Sequence, residues 1–219
     1  MNSVEFKKLF YEVFGNFVNK SKKIDALYSD VIKKYSSKGR HYHNMDHIHS
    51  MCDLWVKYKK KIENPNFVFL AIIYHDIIYK INKSYNEEES AEYFHVLAFN
   101  KKFDLKAVEI VYIKDLIRYT KHTCFFDTKL HKDAQLLLDF DLHILSSSSS
   151  VYNQYCKNIR KEFKRYTNFL YKKGRLDFLE KFLQKEKIYL TKEFSVFENK
   201  ARKNMLNEIN YLNSPKKIR

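Results

Sequence analysis

His75 and Asp76 follow directly on Phe67 to Tyr74, the longest uninterrupted apolar run in the chain. Titratable side chains in such surroundings must be paired, hydrogen-bonded or bound to a metal, because burying an unpartnered charge is costly. Four more histidines, His41, His43, His47 and His49, fall in one short stretch. His43 and His47 are four residues apart and share a face if a helix begins near Asn44. That face carries His47 with Ile48 and Met51 toward the core. Asp139 and Asp141 lie within Leu136 to Leu142, again carboxylates in an apolar frame. Two imidazoles and one or two carboxylates converging in a dry core form a mixed nitrogen and oxygen donor set. Such a set suits Mn, Fe, Co, Ni or Zn better than an all-oxygen Mg cage. On the residues alone, either Asp139 or Asp141 can supply the carboxylate.

The elements that must position these groups read as helices throughout. Only three Gly and two Pro occur in 219 residues, too few for the many tight turns of a β-sandwich or barrel. Phe6, Leu9, Phe10, Val13, Phe14, Phe17 and Val18 recur at helical spacing, and Ile24, Leu27, Tyr28, Val31, Ile32 and Tyr35 repeat the pattern. A third helix is predicted from about Asn44 to Lys61. A fourth, apolar on every side, is predicted from Asn66 to about Tyr79, with Asn64 as N-cap and Pro65 at its first position. It belongs at the centre of a domain and carries His75 in its middle. Asn86 is expected to cap a fifth helix with Glu87, Glu88 and Glu89 in its first turn, where the helix dipole favours carboxylates. Further helical patterns cover about 104–121, 132–145, 151–166, 168–185 and 195–212. Ser146 to Ser150 reads as a loop whose last Ser caps the next helix, and Pro215 to Arg219 as a frayed basic tail. The expected architecture is one all-α domain, with a core over about 22–145 and a helical extension over about 150–213.

Composition bounds the function less sharply. The chain carries 41 Lys and Arg against 26 Asp and Glu, a net charge of +15. The lysines are spread rather than clustered, and no helix shows a basic-aromatic stripe, so a nucleic-acid partner is not expected. Cys52, Cys124 and Cys156 show no CxxC spacing and are odd in number, which points to a reducing compartment rather than a disulfide framework. The first twenty residues lack a signal peptide's apolar stretch, and no segment is apolar enough to span a bilayer. The expected location is the cytoplasm.

Several boxes follow one another along the chain: Arg40-His41-Tyr42-His43-Asn44-Met45-Asp46-His47, His75-Asp76-Ile77-Ile78-Tyr79, Asn86-Glu87-Glu88-Glu89-Ser90-Ala91, Thr120-Lys121-His122 and Leu138-Asp139-Phe140-Asp141-Leu142-His143-Ile144-Leu145. Together they resemble the HD superfamily of metal-dependent phosphohydrolases, and within it a branch of small HD-domain hydrolases of unknown substrate. The resemblance covers about residues 22 to 210. It implies an all-α HD bundle with His47, His75, Asp76 and Asp141 as metal ligands, Asp141 being preferred to Asp139. The Tyr42-His43-Asn44 and His47 spacing is similar to that of the cyclic-nucleotide phosphodiesterases of the same superfamily, which implies that His43 protonates a leaving oxygen. Glu87 or Glu88 is then a candidate to orient water, and His122 to serve a second metal. Arg40, Arg118 and Arg160 are candidate phosphate contacts, since Arg matches phosphate geometry bidentately. His41 and His49 are expected at the surface or behind the ligands, and His95, His131 and His143 as ordinary residues. The implied cofactor is a divalent metal (Mn, Fe, Co, Ni, Zn or Mg), and the implied partner a small phosphorylated substrate such as a nucleotide. A non-catalytic nucleotide- or metal-binding module is the alternative.

Overall fold

The computed structural model describes residues 1–100, 103–122 and 130–214. Cys124 and the basic tail from Pro215 to Arg219 lie outside the described residues. Among the described residues the chain is all-helical, with no strand. The helices are α1 (Ser3–Phe14), α2 (Ser21–Tyr35), α3 (Met45–Tyr58), α4 (Pro65–Tyr74), α5 (Asn86–Asn100) and α6 (Ala107–Tyr119), followed by α7 (Lys132–Leu142), α8 (Ser149–Glu162), α9 (Asn168–Gln184), α10 (Lys192–Ser195) and α11 (Glu198–Asn213). Short 3₁₀ turns follow α3 at Lys59–Lys61 and α7 at His143–Ser146. No helix among the described residues is long and apolar enough to cross a membrane.

The apolar run from Val68 to Tyr74 places α4 at the centre, each of its seven side chains fully buried. Helices α3, α5, α6 and α7 pack around it. Burial at about 1.5–3 kcal/mol per large apolar side chain makes this helix the main hydrophobic anchor of the fold. Its start is held from another helix. Asp133, on α7, accepts the N–H groups of Glu63 and Asn64 at 2.7 and 2.8 Å and the Asn64 side-chain amide at 3.1 Å. Asn64 is thus the N-cap by position but makes no cap bond with its own side chain.

Three expected helix ends are corrected. Helix α4 ends at Tyr74, not near Tyr79, so His75 is its C-terminal cap residue rather than a mid-helix residue. The chain turns there because Arg40 draws the carbonyls of Asp76 and Ile77 out of helical register, at 2.8 and 3.0 Å. Asn86 does not act as a helix cap. Its side-chain amide brackets Lys80, accepting from the backbone N–H and donating to the carbonyl, both at 3.0 Å, and so closes the loop before α5. At α8 the capping serine is Ser148, not Ser150.

The last four helices are tied to the first seven by polar side chains meeting backbone. Asp139 is fully buried and accepts from Leu190 N–H at 2.7 Å, Thr191 N–H at 2.9 Å and the Thr191 hydroxyl at 2.5 Å. Asn204, on α11, donates to the carbonyls of Leu145 and Ser147. Beneath α8, the buried Arg175 and Glu208 form a two-pronged ion pair at 2.8 and 3.0 Å that also takes the Tyr152 hydroxyl. Truncating Asp139 strands two backbone donors and a hydroxyl, at a cost of about 1–3 kcal/mol for a buried unsatisfied group. Asp139→Ala is expected to lower the unfolding free energy in urea by about 3 kcal/mol. A loss below about 1 kcal/mol would show that this carboxylate does not hold the 190–191 segment.

Candidate metal centre

The donor residues stand at helix ends, where the backbone can aim a side chain inward. Asn44 caps α3 by accepting the Asp46 N–H at 2.9 Å, which starts the helix so that His47 lies in its first turn, buried beside Ile48 and Met51. His75 closes α4. Asp141 lies in the last turn of α7. His122 follows α6 in the left-handed region, φ 55°, a conformation that costs a non-glycine residue energy and must be held by its surroundings. The Lys185 ammonium, at the end of α9, donates to the His122 carbonyl at 3.1 Å and supplies part of that hold.

These ends bring His47, His75 and Asp141 together, with one donor atom of each within 4.8 Å of the others. The Nε2 atoms of His47 and His75 face each other at 3.2 Å. His75 Nδ1 lies 2.9 Å from the Ile72 carbonyl, which fixes the proton on Nδ1 and turns Nε2 toward His47. Asp141 Oδ1 stands 3.1 Å from His47 Nε2 and 3.8 Å from His75 Nε2, and Asp76 Oδ2 stands 3.3 Å from His75 Nε2. Donors about 2.1 Å from one ion and about 100° apart are themselves about 3.2 Å apart, so the group fits a transition metal. The second oxygen of Asp141 meets His122 Nε2 at 2.6 Å, so this carboxylate links both sides of the cluster.

The charges favour a cation at this point. Burial disfavours the charged form of every group here. At His47 burial wins and the pKa is lowered. At His75 the nearby Asp76 and Asp141 outweigh burial and raise it to about 9. Asp76 and Asp141 are held far below the usual carboxylate range, against the cost of burial, by the facing histidines. The site thus stabilises positive charge between two carboxylates, which is what a divalent ion provides.

His43 stands beside this cluster and is oriented by a residue 119 positions further along the chain. Its Nδ1 lies 2.7 Å from a Glu162 carboxylate oxygen, and its ring stacks on Tyr79 with centroids 4.2 Å apart. Burial alone lowers the His43 pKa, but the field of Asp76 and the bond to Glu162 outweigh it and raise the value. Glu162 is one of the residues that the sequence reading missed. Its other oxygen accepts the N–H groups of His41, Tyr42 and His43 at 2.7–3.0 Å, while Tyr79 donates its hydroxyl to the first. Its signal was present: Tyr152, Tyr155, Ile159 and Glu162 form the buried stripe of α8, so a carboxylate occupies an apolar position.

Other expected site residues go elsewhere. Asp139 is committed to residues 190 and 191 and does not face the histidines. Glu87 remains at the edge, with burial raising its pKa and Asp76, Lys121 and His122 within its field. Glu88 and Arg118 do not reach the centre. They pair with each other across α5 and α6 at 2.6 and 2.8 Å, since both are near the surface and opposite in sign. Arg40 is committed to the backbone. Its guanidinium donates to the carbonyls of His43, Asp76 and Ile77 and lies over the rings of Tyr35 and Tyr79. Arg160 donates to the Phe163 and Tyr166 carbonyls and to Asn168, away from the cluster.

A cleft of about 700 Å³ opens onto His47 and Asp141 between α3 and α8. Its wall carries Asn44, Ser50, Asn153 and Gln154, and Lys157 is the one Lys or Arg along it among the described residues. His41 and His143 also line it, whereas His49 packs on Phe6. No protein-family model, curated protein or solved structure matches this chain.

Glu162 gives the centre an acid limit. Burial works against its ionisation, but His43 and the three amides outweigh this and hold its pKa at about 2. A carboxyl depressed in the folded state contributes stability above its unfolded pKa and loses it as pH falls through the folded value. The window therefore runs from about 4.5 down to about 2. Across it, wild type is expected to lose about 3 kcal/mol more unfolding free energy than Glu162→Gln, measured by urea denaturation at each pH. Equal acid sensitivity of the two proteins would refute this role.

Proposed function

We propose that this protein is a metal-dependent phosphohydrolase of the HD type, acting on a small phosphate ester. The observation that carries the reading is the buried pair of Nε2 atoms, 3.2 Å apart, flanked by Asp141 and opening on a cleft. The HD resemblance supports it through the same residues. His47, His75 and Asp141 are the donors that would hold the metal, with Asp76 beside them and His122 on the far oxygen of Asp141. A divalent ion bound there supplies Lewis acidity toward water and a phosphoryl oxygen.

The remaining chemistry belongs to the chain. His43 hydrogen-bonds Glu162 through Nδ1, and no hydrogen bond among the described residues engages its Nε2. In the protonated ring both nitrogens carry hydrogen, so Nε2 can give its proton to a leaving oxygen while Glu162 stabilises the cation. The raised pKa, set by Asp76 and Glu162 against burial, favours the protonated ring. Glu87, within the field of Asp76 and His122, is the remaining candidate to orient water. Lys157 and the amide side chains of the cleft bind the ester through one charge and several neutral hydrogen bonds. This balance favours a monoester with a polar neutral moiety, such as a nucleoside or sugar, over a polyanion.

Metal analysis and turnover of nucleotides and p-nitrophenyl phosphates with Mn, Co or Ni test the assignment. His75→Ala and Asp141→Ala are expected to lose both metal and activity. His43→Gln is expected to retain metal and lose about 10²–10⁴-fold in kcat. Metal content unchanged in Asp141→Ala would remove the centre. Ligand-induced thermal stabilisation without any turnover would make the protein a binding module instead.

A further inference from the structure

A second cleft, of about 910 Å³, lies where α8, α9 and α11 meet. Its chemistry differs from that of the first. Lys157, Arg160, Lys161 and Lys172 line it, and none of the four forms an ion pair among the described residues. The one carboxylate along it among the described residues, Glu208, is already neutralised by Arg175. Lys157, Arg160 and Lys161 stand at i, i+3 and i+4 on α8, so they share one face. Arg160 and Lys161 lie in the last turn of α8, where the helix dipole favours cations, but Lys157 and Lys172 lie outside such a turn and add charge to the same cleft. Arg160 is the most ordered of them. Its guanidinium is fixed by two backbone carbonyls and Asn168 and lies 4.7 Å over the Tyr171 ring. All these partners are neutral, so the cation is held in place with its charge uncompensated.

We propose that this cleft binds a small condensed phosphate, either inorganic polyphosphate or the phosphate chain of a nucleotide. A charge of four spread around a concave pocket suits a compact polyanion, since Arg and Lys bind phosphate oxygens through charge-assisted hydrogen bonds. The volume lies within the range of small-molecule sites. An extended strand of nucleic acid requires a stripe of cations along a surface instead. Asn153 and Lys157 border both clefts, so the ligand sits next to the proposed hydrolytic site without using its metal donors.

Isothermal titration of the full chain in EDTA, at physiological salt, tests the site with tripolyphosphate and with ATP as separate probes. EDTA keeps metal out of the His47 and His75 centre. Both probes are expected to bind, and tighter binding of ATP would assign the nucleotide as the source of the phosphate chain. The double variant Lys161→Glu with Lys172→Glu is expected to weaken both by about tenfold or more. Its melting temperature should fall by no more than a few degrees, since neither lysine has a charged partner among the described residues and only the favourable place of Lys161 in the last turn of α8 is lost. His47→Ala is expected to bind both probes as wild type does. No heat at millimolar probe, a change below about twofold in the double variant, or loss of binding in His47→Ala would each overturn the proposal. Displacement of tripolyphosphate by a much lower concentration of a single-stranded RNA oligonucleotide would overturn it in favour of a nucleic-acid surface.

Discussion

Backbone that leaves a helix inside a protein must still have its amides and carbonyls satisfied. Most of the architecture around the candidate metal centre answers that constraint. His75 follows α4, His122 follows α6, His43 precedes α3, and each therefore sits on or beside chain whose backbone groups are only partly satisfied by local bonds. Charged side chains close the gaps: Arg40 takes the carbonyls of His43, Asp76 and Ile77. Glu162 takes the amides of His41, Tyr42 and His43. Lys185 meets the carbonyl of His122. Charge-assisted bonds of this kind are stronger than neutral ones and are directional, so they fix where each ring points as well as holding the loop.

The same logic gives α7 three carboxylates with three tasks. Asp133 secures the start of α4, Asp139 secures residues 190 and 191, and only Asp141 faces the histidines. Residues two apart on a helix are about 200° apart around its axis, so Asp139 and Asp141 cannot serve one site. Electrostatics then separates them further. Asp141 is kept ionised by the imidazoles around it, while burial pushes Asp139 up to about 6 against its three donors. A cation is favoured beside the first and has no partner beside the second.

The limits of sequence reading follow from these long connections. Helical periodicity, the scarcity of Gly and Pro, and the apolar run before His75 made the all-α class legible, because they are local signals. His47 and His75 were legible as buried polar residues on apolar frames. The choice between Asp139 and Asp141 was not settled by the residues, because both sit in the same apolar heptapeptide and only distant residues 190 and 191 distinguish them. Arg40, Arg118 and Arg160 were read as phosphate contacts beside the histidine cluster because guanidinium matches phosphate. It matches carbonyls and carboxylates equally well, and nothing local says which it will meet. Glu162 lies 119 residues from His43, a distance that no spacing rule covers, although its place in the apolar stripe of α8 marked it as a buried carboxylate.

That separation alters how the last helices are to be understood. A helical extension beyond a core of about 22–145 can be imagined as an appendage, removable with little effect on the site. The bonds oppose this. Glu162 orients His43, Lys185 supports the strained peptide of His122, and the ring of His122 packs against Phe182. Tyr189 donates its hydroxyl to the carbonyl of Leu142, the residue after Asp141. Every one of these partners comes from residues after 150. The first seven helices therefore supply the donors, and the later ones supply the contacts that aim them. Helix α8 also forms one wall of the cleft over His47 and Asp141. Positioning of the donors and access to them thus depend on the same segment, so variation along α8 has the means to change which molecule enters while leaving the donor set unaltered.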